Sequence, residues 1–251
     1  MTANRMSLSA ITKGRIQRPF KMALYGVEGI GKSTFAAAAP DPIFIAAEDG
    51  TAALDIARFP SPETWTDVMD AIATLYQEQH DFKTLVLDSA DWAESLANEA
   101  VAKENNVAGI EAIGYGKGHV FAGEKFMQLL RGFDALLHKG MNVIVVAHTT
   151  VKTFNDPEHE PYDRYMLKLS KQNAPRLTEW CDILAFANYD TRTENVGNDK
   201  NPNVRAKSFN KRLLYTERRA AFDAKNRFGL PEKMNLDWPT FWGAYQDALN
   251  V

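Results

Sequence analysis

Eight consecutive residues, Gly26-Val27-Glu28-Gly29-Ile30-Gly31-Lys32-Ser33, constrain this chain more than any others. They fit G-x-x-x-x-G-K-[ST] without a mismatch, the pattern of a loop that wraps phosphate groups in backbone N–H donors. The glycines permit a backbone whose N–H groups all turn inward. Lys32 adds a cation near the β- and γ-phosphates, and the Ser33 hydroxyl can ligate magnesium. Such a loop has meaning only between a strand and a helix. An apolar run over 20–25 precedes it, and a helix beginning near Ser33 and Thr34 and running through 35–39 follows, its positive dipole end toward the phosphates. The expected ligand is ATP with Mg2+, held by Gly26, Glu28, Gly29, Ile30, Gly31, Lys32, Ser33 and Thr34.

Four more apolar runs, over 43–47, 84–87, 143–147 and 183–187, read as strands. They are nearly continuous rather than alternating, as strands covered on both faces are. Between them Trp65, Val68, Met69, Ile72, Leu75 and Tyr76 keep helical spacing, as do Phe126, Leu129, Leu130, Phe133, Leu136 and Leu137. Strands alternating with helices predict an α/β fold with a mostly parallel, twisted sheet and helices on both faces. A further strand is expected at 212–215 and a short helix at 238–251. The segments 104–120, 149–169 and 191–210 read as loops.

The single cysteine, Cys181, excludes a disulfide framework and fits a cytoplasmic location. No run approaches the ~20 apolar residues that span a bilayer, so no membrane association is expected. The N-terminus carries Arg5, Lys13, Arg15 and Arg18 without the apolar stretch of a signal peptide. A net charge of −3 argues against a surface that coats polyanions everywhere, and leaves room for a local basic groove.

A phosphate loop needs a metal-holding acid and a group that orients water before it hydrolyses anything. Asp88 ends the run Thr84-Leu85-Val86-Leu87, where it can hold magnesium beside Ser33, or alternatively cap the helix near Trp92. Glu48 follows the second strand, and ligands of open parallel sheets sit at the carboxyl ends of strands. It is placed to polarise the attacking water, or is an acid at a surface turn. His148 ends the fourth strand, to sense the γ-phosphate or to make a plain hydrogen bond. For single-stranded nucleic acid, Thr149 to Arg176 offers five cations against four acids, with Phe154, Tyr162 and Tyr165 interleaved. Lys152, Arg164, Lys168 and Lys171, with Tyr115 and Lys117 between the glycines of 114–118, are the candidate contacts. A solvated loop of mixed charge is the other reading of this stretch.

The residues resemble the RecA-like ATPases, and more closely the compact phage ATPases of single-strand annealing and recombination. The resemblance runs from about residue 14 to 242. Its segments are PFKMALYGVEGIGKST, PIFIAAEDG, FKTLVLDSADW, GYGKG at 114–118, NVIVVAH at 142–148 and YTERRAAFDAKNRFGLP at 215–231. It implies a RecA-like P-loop NTPase core with Glu48 as catalytic base and Asp88 as the magnesium-site aspartate. Lys225-Asn226-Arg227-Phe228-Gly229 is similar to the KNRFG signature of bacterial RadA proteins. That similarity implies that Lys225 and Arg227 reach the γ-phosphate of a neighbouring subunit. Such a pair would stabilise charge on the transferring group, although a basic pair also protects an edge strand. The long loops over 104–120 and 149–169 fall where RecA-like proteins bind DNA.

The expected organisation is a basic segment over 1–19 that contacts a neighbour, an ATPase core over 20–237 and a terminal helix over 238–251. The expected function is ATP-dependent binding and annealing or pairing of single-stranded DNA. The expected partners are single-stranded DNA, other copies of the chain in a ring or filament, and a single-strand-binding protein, in the host cytoplasm if the chain is phage-encoded. A hexameric DNA motor, a small-molecule kinase and a nucleotide-gated scaffold are the competing readings.

Overall fold

The computed structural model describes residues 6–14, 18–47, 49–195 and 204–250. Its centre is a run of parallel strands: β1 (Lys21–Gly26), β2 (Pro42–Ala46), β3 (Ala57–Arg58), β4 (Thr84–Asp88), the first half of β5 (Asn142–Phe154) and the start of β7 (Ile183–Asn195). Across the sheet the order is β7, β1, β5, β4, β2, β3, with antiparallel β8 (Val204–Tyr215) and β10 (Lys233–Asn235) outside β7. This is the α/β architecture expected from the sequence.

Because successive side chains leave a strand on opposite faces, each strand feeds two cores. Ala23, Tyr25, Val143, Val145, Leu85 and Leu87 pack with α2 (Trp65–Gln77), α3 (Ala90–Glu104), α4 (Lys117–His138) and α5 (Asn173–Trp180). Met22, Leu24, Ile144, Val146 and Val86 pack on the other side with α1 (Lys32–Ala37) and α6 (Trp238–Leu249). The periodic stripes read from the sequence are the inward faces of α2 and α4, except that Tyr76, at the end of the first, is exposed and lies under Lys139. Thr64 starts α2 with a reciprocal capping box to Asp67. Asp237 caps α6 by accepting from Thr240 N at 2.9 Å.

All three expected loops are corrected in part. In 104–120, α3 runs to Glu104 and α4 begins at Lys117, so the connection is shorter than the glycine content suggests. In 149–169, β5 continues to Phe154 and pairs antiparallel with β6 (Tyr162–Leu167), from Thr149↔Leu167 to Phe154↔Tyr162. In 191–210, β7 pairs with β8 out to Asn195↔Val204. The physical reason is common to both hairpins. A two-stranded extension beyond the core is held by backbone hydrogen bonds and β-branched residues such as Thr149, Thr150, Val151 and Thr153. It therefore carries no apolar rhythm. Among the described residues no helix is long and apolar enough to cross a membrane.

Candidate active site

The carboxyl ends of the parallel strands converge on the glycine loop. Gly26 closes β1, level with His148 on β5 and Ala187 on β7. A Cβ at Gly26 would lie 2.1 Å from the Ala187 carbonyl oxygen, so only glycine lets the chain pass here. Gly31 has φ +102°, in the left-handed region, and turns the loop into α1. Ile30 is fully buried beside Phe35 and Ala36, which anchors the loop from below, while Glu28, Gly29 and Thr34 are exposed. Lys32 is only 6% exposed, and its Nζ donates to the carbonyls of Gly26 and Val27 at 3.1 Å each. The lysine is thus folded against the carbonyls of the loop itself.

Asp88 and Ser33 meet here. The Ser33 hydroxyl donates to Asp88 Oδ2 at 2.5 Å, so two oxygen ligands of the kind magnesium takes are already side by side. Burial raises the Asp88 pKa above the usual carboxylate range. The opposing pull of the Ser33 hydrogen bond and of the Lys32 and His148 charges is smaller. Asp88 does not cap α3: the residue at the cap position is Ser89, and the Asp88 carboxylate is turned to Ser33. Asp91, in the first turn of α3, holds His148 twice, accepting from its backbone N–H at 3.1 Å and pairing with its Nδ1 at 2.9 Å. Burial works to raise the Asp91 pKa, but the combined hydrogen bonds and charge of His148 outweigh it and the net shift is downward. Glu48 lies outside the described residues. The preceding residue, Ala47, donates its N–H to the Asp88 carbonyl at 2.9 Å, which brings the end of β2 to this same edge.

Lys225 and Arg227 are elsewhere. The short strand β9 (Lys225–Asn226) pairs with the amino end of β7, at Ile183 and Leu184, the opposite end of the sheet from the glycine loop. Lys225 Nζ donates to the carbonyls of Thr178 and Glu179 near the end of α5. Burial leaves its pKa lowered, with Cys181 pulling the other way and the Arg227 charge adding to the fall. Arg227 pairs at 3.1 Å with Asp182, a buried acid that also holds Arg18 at 3.0 Å. Neither cation reaches the loop of its own subunit.

The candidate nucleic-acid contacts are scattered. Tyr115, with φ +58°, is fully exposed on the turn before α4, and Lys117 opens that helix. Lys152, Lys168 and Lys171 are exposed on and after the β5–β6 hairpin. Lys152 and Lys171 line a cavity of about 510 Å³ whose walls include Met166, Leu167, Leu169 and Leu184. Arg164 differs from the expectation. It is 2% exposed, pairs with Asp223 at 2.7 Å and stacks its guanidinium on Phe154, so its charge is spent inside the hairpin.

Sequence reading passed over Asp91, Tyr189 and Arg212. Asp91 stands three residues after Asp88 in DSADW, a spacing that marks the first turn of a helix. Tyr189 and Arg212 are cross-strand partners on β7 and β8, flanking the segment read as loop, with Arg212 at the start of the expected strand, and no local signal tied them to the glycine loop.

A family model described as an AAA domain matches residues 18–228, a span that takes in every residue discussed in this section. No curated protein matches the sequence.

Proposed function

The chain belongs to the AAA domain family, an ATPase-type domain, and on that premise we propose an ATP- and magnesium-dependent, RecA-like recombination protein. In this reading it oligomerises on single-stranded DNA and promotes annealing or pairing, with ATP hydrolysed at subunit interfaces. Lys32 and the loop N–H groups bind the phosphates, Ser33 and Asp88 hold magnesium, and Glu48 orients the attacking water. Magnesium, when bound, offsets charge on the phosphate oxygens. Asp91 orients His148 toward the loop end of β5.

The observation that carries the reading is the separation of Lys225 and Arg227 from the loop along β1 and β7. A basic pair that cannot serve its own nucleotide, in a chain with a resemblance to RadA at those residues, is suited to a neighbour's. The test is a mixing experiment. Glu48→Gln should slow turnover by ~10² or more, the scale of losing a general base, and Arg227→Ala should slow it without weakening nucleotide binding. Mixed oligomers of the two variants should recover activity, because some interfaces pair an intact Glu48 with an intact Arg227. Absence of recovery in well-mixed oligomers would remove the trans assignment. Directional unwinding of a duplex by the wild-type protein would favour the motor reading instead.

A further inference from the structure

The glycine loop is covered from the side by two residues of the β7–β8 pair. Tyr189 and Arg212 sit opposite each other in the register. The Tyr189 hydroxyl donates to the Gly29 carbonyl at 3.4 Å. The Arg212 guanidinium lies so close to Gly31 that a Cβ there would be 2.9 Å from its Nη1. The strand itself is held firmly at this point. Leu213 and Leu214 are buried, and the Arg212 carbonyl accepts from Leu236 N at 3.0 Å.

Five arginines elsewhere in the fold have acidic partners. Arg164 and Arg218 pair with Asp223, Arg219 with Glu232, and Arg18 and Arg227 with Asp182. Arg212 has none among the described residues, although it is exposed and its stem is anchored by the strand. An unpaired, permanently charged planar donor laid against an anion-binding loop is suited to a phosphate oxygen.

We propose that Arg212 is a nucleotide-contacting residue acting in cis, binding the phosphates of the nucleoside triphosphate held by its own subunit's loop, with Tyr189 bracing the loop beneath it. This rests on the nucleotide-binding reading above and extends it. The cation that each site lacks from its own Lys225 and Arg227 is supplied locally by β8. Since a guanidinium beside Gly31 meets the more charged ligand better, Arg212 also favours ATP over ADP.

The test is titration of fluorescent ATP and ADP analogues into wild type, Arg212→Gln, Arg212→Lys, Lys211→Gln and Lys32→Ala. Arg212→Gln keeps the aliphatic stem and a polar, hydrogen-bonding end and removes the charge. It should weaken ATP by roughly ten- to a hundredfold, the scale of a lost charge-assisted hydrogen bond, and ADP by less. Arg212→Lys should recover part of the loss, and Lys211→Gln, an exposed neighbour, should bind as wild type does. Equal ATP affinity and ATP/ADP preference in wild type and Arg212→Gln would overturn the proposal while leaving the loop assignment intact, provided Lys32→Ala has lost binding. An equal loss in Lys211→Gln would also overturn it, by showing only a general effect of surface charge. No nucleotide binding by the wild type would overturn both readings.

Discussion

Asp88 is under two opposed demands. Its position at the buried end of β4 raises its pKa, whereas magnesium requires it ionised. A carboxyl with a raised folded-state pKa contributes stability that is present below its unfolded pKa and lost as pH rises through the folded value. At neutral pH the ionised Asp88 therefore destabilises the nucleotide-free protein. Asp88→Asn should raise the melting temperature at pH 7, with the advantage fading as pH falls into the carboxylate range, and should remove magnesium-dependent nucleotide affinity. A variant less stable than wild type at pH 7 would refute this account of its burial. Asp91 has the reverse sign, since its pKa is lowered. Its contribution is present above the ordinary carboxylate range and is lost on acidification. Of the site residues, the glycine loop and Asp88 were legible because each sits within a few residues of a strong apolar strand. Tyr189 and Arg212 were not, because they reach the loop only through the pairing of β7, β8 and β1, and such contacts leave no trace in spacing.

At the scale of elements, the β5–β6 hairpin separates two kinds of cation that look alike in the sequence. Arg164 is enclosed, and its partner Asp223 and the Phe154 ring fix it; Lys168 and Lys171 are open to solvent. Losing a buried arginine with an ion pair and a ring contact is expected to remove about 2 kcal/mol of stability. Arg164→Ala should lower the urea midpoint accordingly and leave the salt dependence of single-strand binding unchanged. Lys168→Ala with Lys171→Ala should leave the midpoint in place, weaken that binding and flatten its salt slope, because fewer counterions are released. Fluorescence anisotropy over a salt series, beside urea denaturation, checks both halves. An unchanged slope in the double variant would take this hairpin out of the DNA site. Charge counting along 149–176 could not make the distinction, since burial of Arg164 follows from register with β5 and from Asp223, almost sixty residues later in the chain.

For the whole molecule, α6 is the support under the nucleotide loop. Phe241 is fully buried, with its ring 5.6 Å from Phe35 of α1 and 6.0 Å from Phe20 before β1, and Trp238 lies 5.3 Å from Phe35. Trp238 and Phe241 follow the span that the family model matches, yet they complete the face on which α1 rests. Phe241→Ala should cost about 3–5 kcal/mol of stability and weaken ATP binding although the ring is not at the loop. Calorimetric melting and nucleotide titration measure the two effects, and full ATP affinity in a destabilised variant would separate α6 from the site. The two ends of the central strands also set how copies of the chain can join. With the glycine loop at one end of β1 and β7 and the basic pair at the other, an assembly joined loop to pair is head-to-tail rather than symmetric about a twofold. An open stack then has unlike ends, one presenting an uncompleted nucleotide site and the other an unused basic edge. In the proposed assembly, growth and release at those ends would proceed by different chemistry, which would give the stack a direction along the strand it coats.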